Sequence, residues 1–447
     1  MATRFRAPLR RAVAVLALGA AGGIPLDVHA TSVEELEAAI AALRKQVDEL
    51  RVQSRATVDT PTPSAANVVT GGKTKGSFKL PGSDTSITLG GYVKLDAVYS
   101  NPSAGVDSAS DLMLNPSSIA VGPDAGDHEH AQVKFGARET RLFVKTNTPT
   151  SLGDLDTHVE IDFYGNDGNE SVSNSSGPRL RHAYATLGPF LAGQTWTNFM
   201  NAAALPETVD FGGPAGQIFG RQAQVRWTQP IAATSSMSDA HWSIGLENPE
   251  TVAQVPGGAS FRADDDRFPD LTGQIAFATS HGAFSVHGLV RQLRVDSGAS
   301  PTAVDGKIGA AIAVAGVVPA WGRDDWRFTA SAGNGIGRYA NGFFPDAIVG
   351  DEGKLRLPQQ WIAYAAYRHF WSQTLRSSLV LSLAGERNPD GAPADTNKAT
   401  HSAHVNLVWS PVAHSDLGVE YIYADRETED GQKGHLNRFQ ASAKYAF

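Results

Sequence analysis

From about Thr85 to Phe447, apolar and polar side chains alternate with a period of two in one short segment after another, which confines the chain to extended strands. In "TSITLGGYVKLDAVYS" one face carries Ile87, Leu89, Val93, Leu95 and Tyr99, and the other Tyr92, Lys94 and Asp96. In "GDLDTHVEIDFYG" Leu155, Val159, Ile161 and Phe163 oppose Asp156, His158, Glu160 and Asp162. Comparable segments lie near 132 to 146, 179 to 188, 189 to 199, 220 to 230, 240 to 248, 270 to 280, 282 to 295, 306 to 318, 324 to 338, 355 to 371, 373 to 387, 399 to 411, 415 to 426 and 434 to 447. Together they make about sixteen strands.

A soluble sandwich alternates in the same way with its apolar face inward, so no single strand decides the fold. The set decides it. An even number of strands, joined in turn by short links such as "LGPF", "SHGA" and "FWSQ" and by long polar ones such as "NPSAGVDSASDLMLNPSSIAVGPDAGDHEH", predicts an all-β fold. The expected form is a transmembrane antiparallel β-barrel of about 16 strands over residues 85–447, with its apolar face toward lipid. Short links then face the periplasm and long ones the outside. The last strand, "RFQASAKYAF", puts Phe439, Ala441, Ala443, Tyr445 and Phe447 on one face and ends on an aromatic residue, as barrels directed to an outer membrane do.

Composition agrees with a large hydrogen-bonded sheet. There is no Cys, which excludes thiol chemistry and disulfide stapling, and no apolar run is long enough to cross a bilayer as a helix. Arg4, Arg6, Arg10 and Arg11 precede the apolar stretch "AVAVLALGAAGGIPL", which closes on "VHA", so residues 1–30 read as an export signal cleaved after Ala30. An uncleaved anchor is the weaker reading, because Gly22, Gly23 and Pro25 interrupt a stretch shorter than a span. Losing four arginines and one acid would take the formal charge from −8 to −11, and nothing points to a nucleic-acid partner.

A different period precedes the strands. Val33, Leu36, Ile40, Leu43, Val47 and Leu50 form a heptad seam with β-branched residues at a and Leu at d, predicting a coiled-coil helix over 31–53. Ser32 and Glu35 form its capping box. Residues 54–84 read as a flexible Pro, Thr, Ser and Gly-rich linker, so the helix needs identical neighbours more than a core of its own. Within the linker, "NVVTGGKT" falls short of a phosphate loop: Asn67 replaces the first Gly, and no strand leads into it.

The heptad segment, the linker, "LGGYVKLDAVYS", "RETRLFVKTNTPTSLGDLDTHVEIDFYG", "RLRHAYATLGPFLAGQTWTNFMN" and the terminal Phe resemble the DcaP-like trimeric outer-membrane porin family. The resemblance runs from about residue 32 to the end. It implies a homotrimer of sixteen-stranded barrels in the outer membrane of a Gram-negative bacterium, each passing small anionic solutes such as dicarboxylates. The heptad itself favours two strands, since β-branched a with Leu d is the dimer pattern.

With the apolar face toward lipid, strand parity turns Lys94, Arg141, Lys145, Arg226, Arg291, Arg327, Arg376, Arg438 and Lys444 toward the lumen, where guanidinium groups can hold carboxylates through paired hydrogen bonds. Asp96, Asp156, His158, Glu160, Asp162 and Glu420 oppose them. Parity gives a face but neither height nor pairing, and lumenal ion pairs also stiffen a wall. Arg141 and Arg226 are the preferred solute contacts. The segment "NAAALPETVDFGGPAGQIFG" is the third outward connection and is expected to fold into the pore as a constriction loop, bringing Glu207 and Asp210 with it.

Two acidic stretches offer oxygen donors, Asp124, Asp127, His128, Glu129 and His130 in one and Asp264, Asp265 and Asp266 in the other. Neither has an EF-hand or zincin spacing, and both read as solvated loop tips without a metal or cofactor. A barrel enzyme of esterase or protease type is the rival class, but no GxSxG or HExxH motif occurs. A plugged receptor or adhesin would need a separate folded domain that the chain does not offer.

Overall fold

The computed structural model describes residues 33–56, 69–101, 112–123, 125, 131–166, 168, 171–234, 237–255, 257, 260–296, 305–350 and 353–447. The signal segment, the Ser32 cap and the acidic stretch from Asp124 to His130, Ala125 apart, lie outside these residues.

Helix α1 runs Val33–Ala56. Along its heptad seam Ile40, Leu43, Val47 and Leu50 are all exposed. The second compact unit is Val69–Phe447. It begins before the expected barrel, because Thr70–Gly71 and Phe78–Lys79, within the expected linker, form a small hairpin that pairs with Ser86 and Ile87.

Sixteen strands form the wall, in the order and nearly at the positions that the alternation predicts. They are β1 (Ser86–Asn101), β2 (Gln132–Gly136, resuming at Arg141–Thr150), β3 (Gly153–Asp162), β4 (Arg179–Leu187), β5 (Phe190–Trp196), β6 (Arg221–Pro230), β7 (Ser238–Glu247) and β8 (Asp270–Thr279). The circuit continues through β9 (Gly282–Val295), β10 (Asp305–Pro319), β11 (Asp325–Asn334), β12 (Gln359–Phe370), β13 (Leu375–Arg387), β14 (Asn397–Trp409), β15 (Ser415–Thr428) and β16 (Lys433–Ala446). Each strand pairs antiparallel with the next, and β16 pairs with β1 through Phe439 and Tyr99, which closes the barrel and leaves no free edge.

Closure depends on a close approach at Gly91. Its φ is 155°, it exchanges backbone hydrogen bonds with Phe447, and a Cβ there would meet the Arg141 carbonyl oxygen at 2.1 Å. The crowding falls where β1 passes from one half of β2 to the other.

Connections alternate as expected: two-residue links such as Ser280–His281 lie at one end, and segments such as 197–220 and 335–358 at the other. The outer face is apolar, with Leu89, Val93, Val159, Val290 and Ile312 exposed and Trp326, Trp371 and Trp409 exposed toward the short-link end.

The inside is not uniformly polar. Segments 197–220 and 335–358 fold into the barrel and bury Phe199, Met200, Ile218, Ile336, Tyr339 and Phe344 against inward-facing Leu289, Ala313, Ile362 and Ala384. Each large apolar side chain so buried contributes about 1.5–3 kcal/mol. At the long-connection end Val252–Gln254, Ser260–Arg262, Ala347–Val349 and Leu355–Arg356 form a small second sheet, whose Ala253 and Leu355 pack on Leu293 and Val295 of β9. Much of the interior along β9 to β13 is therefore packed solid.

Candidate functional site

Segment 197–220 crosses the lumen and is fastened to the far wall through its backbone. Glu420 of β15 accepts the N–H of Val209 at 2.8 Å and that of Asp210 at 3.2 Å. Lys94 donates to the Val209 carbonyl at 2.8 Å, Ser402 accepts from Ala215 at 3.1 Å, Tyr364 donates to the Ala204 carbonyl at 2.9 Å, and Arg327 to that of Leu205 at 2.8 Å. These anchors lie on β1 and β11 to β15. Inward residues of that wall, such as His404, Ile422 and Val380, are fully buried, whereas Arg141, His158, Arg179 and Tyr184 on β2 to β4 keep access to solvent. Solvent thus reaches the lumen between the crossing segment and the β2 to β4 side.

Four guanidinium groups gather there. Arg141, Arg179 and Arg181 lie 5.7, 5.6 and 5.5 Å from the centre of the Phe211 ring, and Arg221 lies 4.8 Å from Trp196 and 5.3 Å from Phe219. Phe211 and Phe219 belong to the crossing segment, so cation–π attraction joins wall to loop. Two carboxylates face the four cations. Asp162 accepts from Arg179 at 2.7 Å and Arg181 at 2.9 Å, and Glu160 accepts from Arg181 at 2.7 Å but stands 3.8 Å from Arg141. Nε of Arg141 and Nη1 of Arg221 are buried without a hydrogen-bond acceptor, so these two guanidinium groups are only partly compensated by the protein. His158 and His182 stack next to them with ring centres 5.5 Å apart.

The residues expected from parity have divergent surroundings. Lys94 is buried against Glu139 and Asp96. Arg291 is enclosed by Asp270 at 3.3 Å and Asp346 at 2.9 Å under the second sheet, and Arg438 donates to Ser100 at 3.0 Å with Asp210 at 3.9 Å. Arg376 holds Glu207 at 2.7 Å and Asp416 at 3.2 Å, and Arg327 holds Asp325 at 2.8 Å. With Arg368 and Lys444 these make a charged vestibule at the short-link end, four cations around Glu207, Asp325 and Asp416. Lys145 lies 5.0 Å from the Phe143 ring, and Arg226 donates to the Trp196 carbonyl and to Gln224 at 2.6 Å each. Of the two expected loop acids, Glu207 pairs with Arg376, and Asp210 is buried accepting the N–H groups of Leu114 and Gly213 at 2.9 Å.

Arg179, Arg181 and Arg221 are absent from the parity set for a physical reason. Ala183, Ala185 and Leu187 fix the outward face of β4, and strict alternation extends that face to Arg181 and Arg179. A bulge, where the pairing with β3 shifts between Glu160 and Ile161, turns both arginines inward and exposes Leu180 instead. The cost of two arginines facing lipid, about 2–4 kcal/mol each at mid-membrane, was the available signal. Arg221 opens its strand, where parity ceases to hold.

One constellation has the order of a hydrolytic triad. Ser402 Oγ lies 3.2 Å from His404 Nε2, and His404 Nδ1 lies 3.2 Å from Glu420 Oε1. All three are buried beneath the crossing segment, and the serine oxygen already takes the Ala215 N–H and touches Ser382 at 2.7 Å, so the group anchors the loop. In the loop with Asp264, Asp265 and Asp266, Asp265 accepts the Asp296 N–H at 2.6 Å and Asp266 the Thr251 hydroxyl at 2.8 Å. Among the described residues no group of three or more His or acidic side chains has metal-holding geometry.

A family model described as DcaP outer membrane protein matches residues 28–447. Among solved structures, the outer membrane channel DcaP of Acinetobacter baumannii is similar at 25% identity over 84% of this chain and 99% of that one, with a TM-score of 0.69. The trimer form of in-vitro folded OmpT of Vibrio cholerae, at 11% identity over 81% and 99%, reaches 0.51, as does Salmonella typhi OmpF in complex with daunomycin, at 9% identity over 81% and 98%. The last two are likenesses of fold alone. Among curated proteins none matches.

Proposed function

Because the chain belongs to the DcaP outer membrane protein family and has the fold of an outer-membrane porin, we propose that it carries small anions, dicarboxylates foremost, along the β2 to β6 wall. The observation that carries this reading is the excess of guanidinium over carboxylate around Phe211, with donors on Arg141 and Arg221 that no protein acceptor uses. Such groups attract an anion, while partial competition from Glu160 and Asp162 keeps its residence short enough for release. The vestibule of Arg327, Arg368, Arg376 and Lys444 extends the same bias toward the short-link end.

The chain acts as a homotrimer, with short links and helix α1 on the periplasmic side. The exposed seam Ile40, Leu43, Val47 and Leu50 supports self-association of the helices, and the trimer form of the OmpT neighbour supports three copies. The reversal potential in a potassium chloride gradient tests the reading. An anion-selective sign, with current interruptions on adding succinate, is expected; cation selectivity without succinate block refutes it.

A further inference from the structure

At the long-connection end of β13, several buried oxygen atoms have no protein donor. Glu386, the last inward residue of β13, is 3% exposed; its Oε2 accepts from Gln360 at 3.0 Å, but Oε1 has no partner. The groups acting on it are Gln360, Asn388 and a second carboxylate, Glu429, with no cation among them. Asn388 directs its Nδ2 to Glu429 Oε2 at 2.9 Å, which leaves its Oδ1 buried without a donor. Thr396 is fully buried with an unpartnered hydroxyl, and its carbonyl accepts the Glu429 N–H at 2.8 Å.

Buried carboxylates are ordinarily paired or coordinate a metal. Here Glu386 at the end of β13 neighbours Asn388 and Glu429, and Thr396 of segment 388–396 meets the β15–β16 connection through its carbonyl on the Glu429 N–H. We propose that Glu386, Asn388, Thr396 and Glu429 bind a divalent cation of the calcium class and thereby staple these two connections to the barrel rim. The donor set is entirely oxygen and mixes carboxylate, amide and hydroxyl, which suits calcium's flexible coordination better than the strict octahedron of magnesium. The charge of two carboxylates balances one divalent ion. This site is separate from the anion passage and does not depend on it.

Full-length protein stripped with EDTA and titrated with calcium chloride by calorimetry, beside magnesium chloride, tests the proposal. Saturable calcium binding at one site per chain is expected, with an affinity on the order of 10⁻⁴–10⁻³ M as in extracellular modules, together with a calcium-dependent rise in unfolding temperature. Glu386→Gln and Glu429→Gln should each abolish both effects, while Asp264→Asn retains them. Glu429 is less buried, so E429Q keeps the test open if E386Q folds poorly. Absence of calcium binding by the wild type, or binding unchanged in E429Q, overturns the proposal. So does a Glu386→Gln variant of unaltered stability in a wild type indifferent to calcium, because Glu386 is then a neutral acid.

Discussion

Replacing both Arg141 and Arg221 by Gln tests the electrostatics of the passage, and Arg179 and Arg181 still hold the wall to Phe211. Glu160 keeps Arg181 at 2.7 Å when Arg141 is removed, and Arg221 has no carboxylate within ion-pair reach among the described residues, so neither change strands a buried acid. A monovalent anion passing about 5 Å from a guanidinium gains about 0.8 kcal/mol in a water-like dielectric, which screening at 0.1 M salt trims to about 0.5 kcal/mol. Two charges lost therefore weaken its occupancy by about 1 kcal/mol, roughly fivefold, and that of a dianion by about 2 kcal/mol, roughly thirtyfold. Reversal potentials at 0.1 M and 1 M salt, with succinate-induced block on single channels, read both quantities. The variant should lose dianion block far more than chloride preference, and the difference should fade at 1 M. Equal loss for mono- and dianions, or a defect that persists at high salt, would refute a charge-based passage.

Other changes should read differently. Glu420→Gln turns an acceptor for Val209, Asp210, His404 and Asn406 into a group that also donates, costing about 1–3 kcal/mol for each donor left unsatisfied; single channels should become larger and noisier, and unchanged conductance would show that the loop is held elsewhere. Deleting residues 33–53 should leave conductance per pore intact and lower trimer survival in detergent, as read by native mass measurement. Asp324, in the link before β11, is held down to about pKa 2, first by the Tyr367 hydroxyl and then by Phe370 N–H and His369. Because its folded pKa is depressed, its stabilisation is present above the ordinary carboxylate range near 3.9 and is lost as pH falls toward 2. Asp324→Asn should therefore flatten the stability profile between pH 4 and pH 2, by thermal unfolding in detergent.

The wall was legible because a strand exposed to lipid on one side and water on the other must alternate, and nothing in β1, β3 or β16 interrupts that rhythm. The interior was less so. Leu289 and Ile362 face inward although apolar, because segments 197–220 and 335–358 bring Phe199, Tyr339 and Phe344 to meet them, and a period-two pattern carries no information about what fills the space opposite. The β4 bulge hid Arg179 and Arg181 in the same way, since one extra residue reverses every assignment beyond it. Residues 69–84 look like linker by composition yet pair as a hairpin with β1, a partner that lies just beyond the stretch being read.

The partly filled barrel has a consequence for assembly. Val209 meets its acceptor on Glu420, 211 residues later in the chain, and Phe344 lies in one core with Phe199. Segment 197–220 cannot find this acceptor until β15 stands in place, so its seating comes late in assembly. The bore therefore reaches its final width only when the apolar side chains of these loops leave water for the interior. This late step of maturation thus resembles the collapse of a soluble protein, carried out inside a membrane wall.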